Sequence, residues 1–219
     1  MSSTFNKVMR RIRYGAPVVV VSGLPRSGTS MAMKMLEAGG LELVVDEVRT
    51  ADEDNPKGYY EDERVKSLAE VDDAQWLRDA RGRAIKVVSS LLNHLPPTNF
   101  YKTVFMRRDL HEVLASQAKM LHRRGEASHT DDDDLLRMYE SHLEKATFQL
   151  RFRPNFEALY VNYSDVIANP ADEARRIADF VGGLDAEAMA GVVDGSLYRN
   201  RRADADGAAP AAPSAPSGR

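Results

Sequence analysis

Short apolar strands alternating with amphipathic helices predict an α/β chain, a central, mostly parallel five-stranded sheet with helices on both faces. Two observations carry this expectation. The first is a set of short apolar runs at 17–22, 41–45, 84–88, 102–106 and 158–162, separated by helical or turn-rich stretches. The second is a glycine-rich loop at 23–30, placed between the first of these runs and a helical pattern.

The run PVVVVS at 17–22 is β-branched and apolar on both faces, which suits a central parallel strand. A helix is expected from about Thr29 to Ala38, stopped by Gly39-Gly40. The segment 46–63 is polar and turn-rich and reads as a long loop, and a helix is expected over 63–78. Beyond the runs at 84–88 and 102–106, Asp109 to Arg123 carries Leu110, Val113, Leu114 and Leu121 roughly on one side. Asp131 to Asp134 open another helix that runs to about Leu150, acids there being favoured by the helix dipole. Asn169-Pro170 opens a helix over 171–181. Upstream of everything, residues 1–15 form a short basic helix with Phe5, Val8, Met9 and Ile12 on one side, read as docked on the domain edge rather than as a membrane anchor. One domain over 1–202, with its core at 17–182, and a disordered Ala/Pro/Ser-rich tail at 203–219 complete the expected organisation.

Composition narrows the chemistry. The chain has 219 residues and no cysteine, which excludes thiolate catalysis and cysteine-held metals. Its five histidines never fall at a metal-ligand spacing, so no metal is expected. A net charge of −3 offers no bulk attraction to nucleic acid. The longest apolar run is far short of a membrane span, so no stable membrane insertion is expected, and a cytoplasmic location is the default. Oligomeric state is not encoded in any pattern.

The loop Gly23-x-x-x-x-Gly28-Thr29-Ser30 has the spacing of a phosphate-binding loop, in the strand-to-helix context such a loop needs. Its backbone N–H groups and the helix dipole attract an anion. Thr29 stands where a nucleoside-triphosphate site carries lysine, and Arg26 supplies a cation from inside the loop. The fold implied is a P-loop-type three-layer α/β/α domain, and the loop suits one phosphate with a small charged extension better than magnesium–ATP.

Pro25-Arg26-Ser27-Gly28-Thr29-Ser30 resembles the 5′-phosphosulfate loop of sulfotransferases that use 3′-phosphoadenosine-5′-phosphosulfate (PAPS). The resemblance implies that Arg26 and the N–H groups of Ser27 to Ser30 hold the donor's 5′-phosphosulfate, helped by the hydroxyls of Thr29 and Ser30. Arg108-Asp109-Leu110 followed by Ser116 is similar to the same family's 3′-phosphate segment, in which Arg108 grips the phosphate and Ser116 adds a neutral hydrogen bond. Pairing of Arg108 with a neighbouring carboxylate is the competing reading. Strand alternation turns Arg107 to the other face. Tyr163-Ser164-Asp165-Val166-x-x-Asn169-Pro170 resembles a further family segment, so the likeness spans roughly 17–182. Arg199, Arg201 and Arg202 lie where some members bring a basic segment over the 3′-phosphate.

Sulfuryl transfer needs a base for the acceptor's proton and a cation for the leaving oxygen. Members with small-molecule acceptors carry Lys-x-His on the strand at 84–88. Here the triplet is Lys86-Val87-Val88, so Lys86 matches, the histidine does not, and the base must come from elsewhere. Asp46-Glu47-Val48-Arg49 is similar to a segment of tyrosylprotein sulfotransferases and favours Glu47, with Arg49 beside it. The stretch Asn55 to Glu61 resembles one in many bacterial sulfotransferases and favours Glu61. Glu47 is preferred, Glu61 comes next, and His111 is a distant third. The resemblance thus implies sulfuryl transfer from PAPS to a hydroxyl or amine acceptor whose identity is not readable. A P-loop nucleotide kinase or NTPase, and a non-catalytic nucleotide-binding module, are the alternatives.

Overall fold

The computed structural model describes residues 3–46, 60–70, 74–123, 125 and 131–195, with the backbone alone for 3–8. Glu47, Arg49, the segment 50–59, the arginines at 199–202 and the tail at 203–219 therefore lie outside the described residues.

Five strands form one sheet in the order β2-β3-β1-β4-β5, and every pairing is parallel. They are β1 (Val18–Gly23), β2 (Leu43–Val44), β3 (Ala84–Lys86), β4 (Tyr101–Arg107) and β5 (Phe156–Asn162). The valine run is the centre, as its two-sided apolarity requires: every residue of β1 is buried. Alternation divides the core. Val18, Val20, Ile85 and Phe105 pack on one face under α4 (Asp132–Phe152). Val19, Val21, Val104 and Met106 pack on the other under α2 (Thr29–Ala38) and α6 (Pro170–Val181). Each fully buried side chain of this size contributes about 1.5–3 kcal/mol relative to exposure.

Four departures from the sequence reading have physical causes. The helix expected over 63–78 is two 3₁₀ turns, Glu63–Ala69 and Gln75–Arg78. Its buried residues, Val65 and Leu68, then Ala74, Leu77 and Ala80, recur every three residues, the period of a 3₁₀ helix. β3 stops at Lys86 because Val88 turns to cap a third 3₁₀ stretch, Ser89–His94, although Val87 N–H still donates to Val21 O at 2.9 Å. Two short helices, α5 (Tyr163–Ala168) and α7 (Ala186–Gly191), follow β5 in addition to α6. Finally α1 (Ser3–Tyr14) docks through Arg10 and Tyr14, while Met9 and Ile12 of its apolar stripe are exposed. No helix among the described residues is long and apolar enough to cross a membrane.

The chain moves from β1 to β2 and β3 on one side, then crosses to β4 and β5 on the other. The crevice at the carboxyl end of β1 is therefore the switch point where open α/β sheets bind ligands. The glycine-rich loop occupies it.

Candidate functional site

The loop closes on itself before the helix begins. Ser27 Oγ donates to Leu24 O at 2.7 Å and Ser27 N–H donates to the same carbonyl at 3.2 Å. Ser27 thus shapes the turn. Two positions require glycine. At Gly23, φ is +149° and an added Cβ would lie 2.6 Å from Met106 O. At Gly28, φ is +96° and a Cβ would lie 2.4 Å from the Tyr163 ring. Gly28 caps α2 without any side-chain hydrogen bond, and the first turn of α2 holds no acid. A helix's first-turn N–H groups have no intrahelical partner. Thr29 and Ser30 present theirs at the positive end of the dipole.

The residues drawn from the two phosphate segments interlock. Arg26 Nε donates to Ser116 Oγ at 3.0 Å, joining the loop to the second turn of α3 (Leu110–Arg123). Arg108 Nη1 donates to Arg26 O at 3.1 Å, and its guanidinium lies 4.5 Å from the centre of the Tyr163 ring. The carboxylate reading for Arg108 is also realised: its Nε donates to Glu112 Oε2 at 3.0 Å, and both side chains are buried. Arg108 therefore braces the loop from the end of β4. Arg26 adopts φ +70°, a left-handed conformation costly for a side chain with a Cβ, and these contacts hold it there. Burial raises the pKa of the Tyr163 hydroxyl, so the ring beneath Arg108 stays neutral. Arg107 is exposed on the opposite side, 4.1 Å above the Tyr160 ring. Asp109 accepts from the backbone N–H groups of His111 and Glu112, so it caps α3, and His111 is a surface residue of the first turn.

Across the crevice, Lys86 is the last residue of β3 and only 8% exposed. Its Nζ donates to Ser30 Oγ at 3.3 Å and to Glu61 Oε1 at 3.1 Å. Glu61 is held from behind: its carbonyl accepts from Asp46 N–H at 2.9 Å, and Asp46 in turn accepts from Glu63 N–H. Tyr60, just before it, takes φ +52° and donates to Glu37 at 3.2 Å. Arg26 and Tyr60 are the two described non-glycine residues with positive φ. Loop residues 28–30, Lys86 and Glu61 are thereby gathered on one side of it, and Arg26, Arg108 and Ser116 on the other. Glu47 falls outside the described residues. Among those residues, no group of three or more His, Asp or Glu side chains could hold a metal ion.

A polar pair that the sequence did not announce lies just beyond β3. Ser89 Oγ, buried, is 2.8 Å from His142 Nε2 of α4, across 53 residues of chain. Burial lowers the pKa of His142, with Lys145 adding to the effect. The unfolded chain therefore binds this proton more readily than the folded one. The stability linked to this neutral ring is complete above its ordinary value of 6.5 and is lost as pH falls through the lower folded value. Between pH 7.5 and 5.5, the melting temperature of the His142→Asn variant is expected to fall less than that of the parent. An equal fall in both would remove His142 from the acid response.

Comparison with known proteins comes from sequence and from structure. A family model described as "Sulfotransferase family" matches residues 61–186, more than half of the chain. The chain belongs to the sulfotransferase family. The matched span contains Glu61, Lys86, Arg108, Ser116 and Tyr163, and begins downstream of the glycine-rich loop. A search of curated proteins found no match. In structure, this sulfotransferase is similar to STF1 from Mycobacterium tuberculosis, with TM-score 0.52 and 15% identity over 89% of this chain and 80% of that one. The sulfotransferase domain of the Synechococcus olefin synthase gives TM-score 0.49 and 17% identity over 89% and 84%. A mouse sulfotransferase complexed with PAP gives 0.47 and 15% over 90% and 69%. Identities this low speak for the fold alone, and the STF1 match agrees with the α/β sheet described above.

Proposed function

We propose that this sulfotransferase moves a sulfuryl group from PAPS to a hydroxyl or amine acceptor and releases adenosine 3′,5′-bisphosphate (PAP). The observation that carries the reading is the convergence of Arg26, Lys86 and Arg108 on an uncapped helix N-terminus at the switch point of the sheet. That arrangement offers two separate cationic ends, with backbone donors between them, to a doubly phosphorylated nucleotide. Membership of the sulfotransferase family supports this reading over the kinase alternative.

In the proposed reaction the acceptor oxygen or nitrogen attacks sulfur, and the bond from sulfur to the bridging phosphate oxygen breaks. The N–H groups of Thr29 and Ser30, with Arg26, hold the 5′-phosphosulfate, and Arg108 with Ser116 holds the 3′-phosphate. Lys86 meets the negative charge that grows on the bridging oxygen. A carboxylate, Glu61 or Glu47, takes the acceptor's proton.

Calorimetry with PAP, AMP and magnesium–ATP tests the donor. PAP is expected to bind without magnesium and well ahead of AMP. Equal affinity for PAP and AMP, or a magnesium requirement, would remove the 3′-phosphate site. Loss of a charge-assisted contact costs about 1.5–3 kcal/mol, so Arg108→Ala and Arg26→Ala should each weaken PAP binding by about 10- to 150-fold. Because Arg108 also braces Arg26, the double variant is expected to lose less than the product of the two single losses. Strict additivity would mean that the two cations act independently.

A further inference from the structure

Helix α1 presents the reverse of the face that its sequence leads one to expect. Tyr14 is buried with its ring 6.1 Å from that of Phe100. Arg10 donates to Glu157 at 3.1 Å and lies 4.8 Å from the centre of the Phe100 ring. Those two residues, four apart, make the inner face of the helix. Met9 and Ile12 fall on the opposite side and stand 50% and 74% exposed. Three residues apart on the helix, these two make an exposed apolar stripe. The exposed Arg11 and Arg13 flank it.

Charge says what covers this stripe. The whole chain carries −3, yet α1 holds Lys7, Arg10, Arg11 and Arg13 and no acid. A second copy packed stripe to stripe would set these cations against their own kind. An anionic bilayer surface offers apolar depth and negative charge together, which is what a basic amphipathic helix takes when it lies in the interface plane. We propose that α1 is a peripheral docking element for anionic lipid surfaces, reversible and without insertion across the bilayer.

Its position fits that role. Phe100 precedes β4 and Glu157 is the second residue of β5, so α1 sits at the amino ends of these strands. The phosphate loop lies at the carboxyl end of β1, parallel to both. A bilayer beneath α1 would leave the crevice open to solution, and changes on the outer face of α1 should not disturb nucleotide binding.

Co-sedimentation of the full chain with vesicles tests this. With phosphatidylcholine vesicles containing 30% phosphatidylserine, the chain is expected in the pellet, and with phosphatidylcholine alone in the supernatant. Ile12→Asp should lower the partition coefficient for the anionic vesicles by at least about tenfold. Arg11→Glu with Arg13→Glu should do the same while leaving the apolar stripe intact. Unchanged circular dichroism and PAP binding are expected to show that both variants are folded. Three results overturn the proposal: a chain that stays in the supernatant with anionic vesicles, binding that Ile12→Asp leaves unchanged, or a dimer in analytical ultracentrifugation that Ile12→Asp converts to monomer.

Discussion

Replacing Lys86 with methionine is expected to slow sulfuryl transfer by about 100- to 1,000-fold, the loss seen when one preorganised donor to a developing charge is removed. Methionine keeps the length and apolar body of the side chain, so the strand end stays filled while the charge is lost. The position supports a transition-state role. Lys86 ends a buried strand, is 8% exposed, and directs its ammonium at Ser30 in the first turn of α2 and at Glu61. Burying a cation there is costly unless it is paired, and Glu61 provides the pairing at 3.1 Å. If the charge matters mainly as the bridging oxygen departs, PAP affinity should change by less than about tenfold while kcat falls. Single-turnover rates with PAPS, set beside calorimetry with PAP, measure both. A variant whose PAP affinity falls as far as its rate would make Lys86 a ground-state phosphate ligand.

Much of the fold was legible in short apolar words. PVVVVS is apolar at consecutive positions, so it had to be central, and β1 is buried throughout. The glycine spacing marked the loop after β1, and there Gly23 and Gly28 take positive φ against Met106 and Tyr163. The alternation that separates Arg107 from Arg108 was equally readable. Other features depend on distances that sequence spacing does not carry. The pairing of Ser89 with His142 spans 53 residues and no local pattern marks it. The interlock of Arg26 with Ser116 and of Arg108 with Arg26 O needs the loop's left-handed turn, adopted here by an arginine. The competing reading of Arg108 leaves its partner unnamed. A neighbouring carboxylate is expected, and it is Glu112, in the first turn of α3, that accepts from the arginine's Nε. The stretch 63–78 misled because Val65 and Leu68 fit periods of 3 and 3.6 equally well over so short a run.

Glu61→Gln is expected to lower turnover by about 100- to 10,000-fold, the usual effect of removing a general base, while donor binding is retained. Glutamine preserves the size of the side chain and can still accept a hydrogen bond from Lys86, but it cannot take a proton near neutral pH. Sequence resemblance favours Glu47, which lies outside the described residues; Glu61 is described, and its carboxylate accepts from Lys86 Nζ. Its backbone is fixed by Asp46 at 2.9 Å, its side chain by Lys86 at 3.1 Å, and it remains 22% exposed, within reach of an incoming acceptor. Glu61→Gln and Glu47→Gln should be compared with PAPS and a panel of phenols, alcohols and amines, with PAP binding measured beside each rate. Loss confined to Glu61→Gln assigns the base to Glu61, and loss confined to Glu47→Gln returns it to the segment after Asp46. If both variants turn over at the parent rate, neither Glu61 nor Glu47 takes the proton. His111, the third candidate of the sequence, is then the group to replace next, beside acceptors acidic enough to need no base.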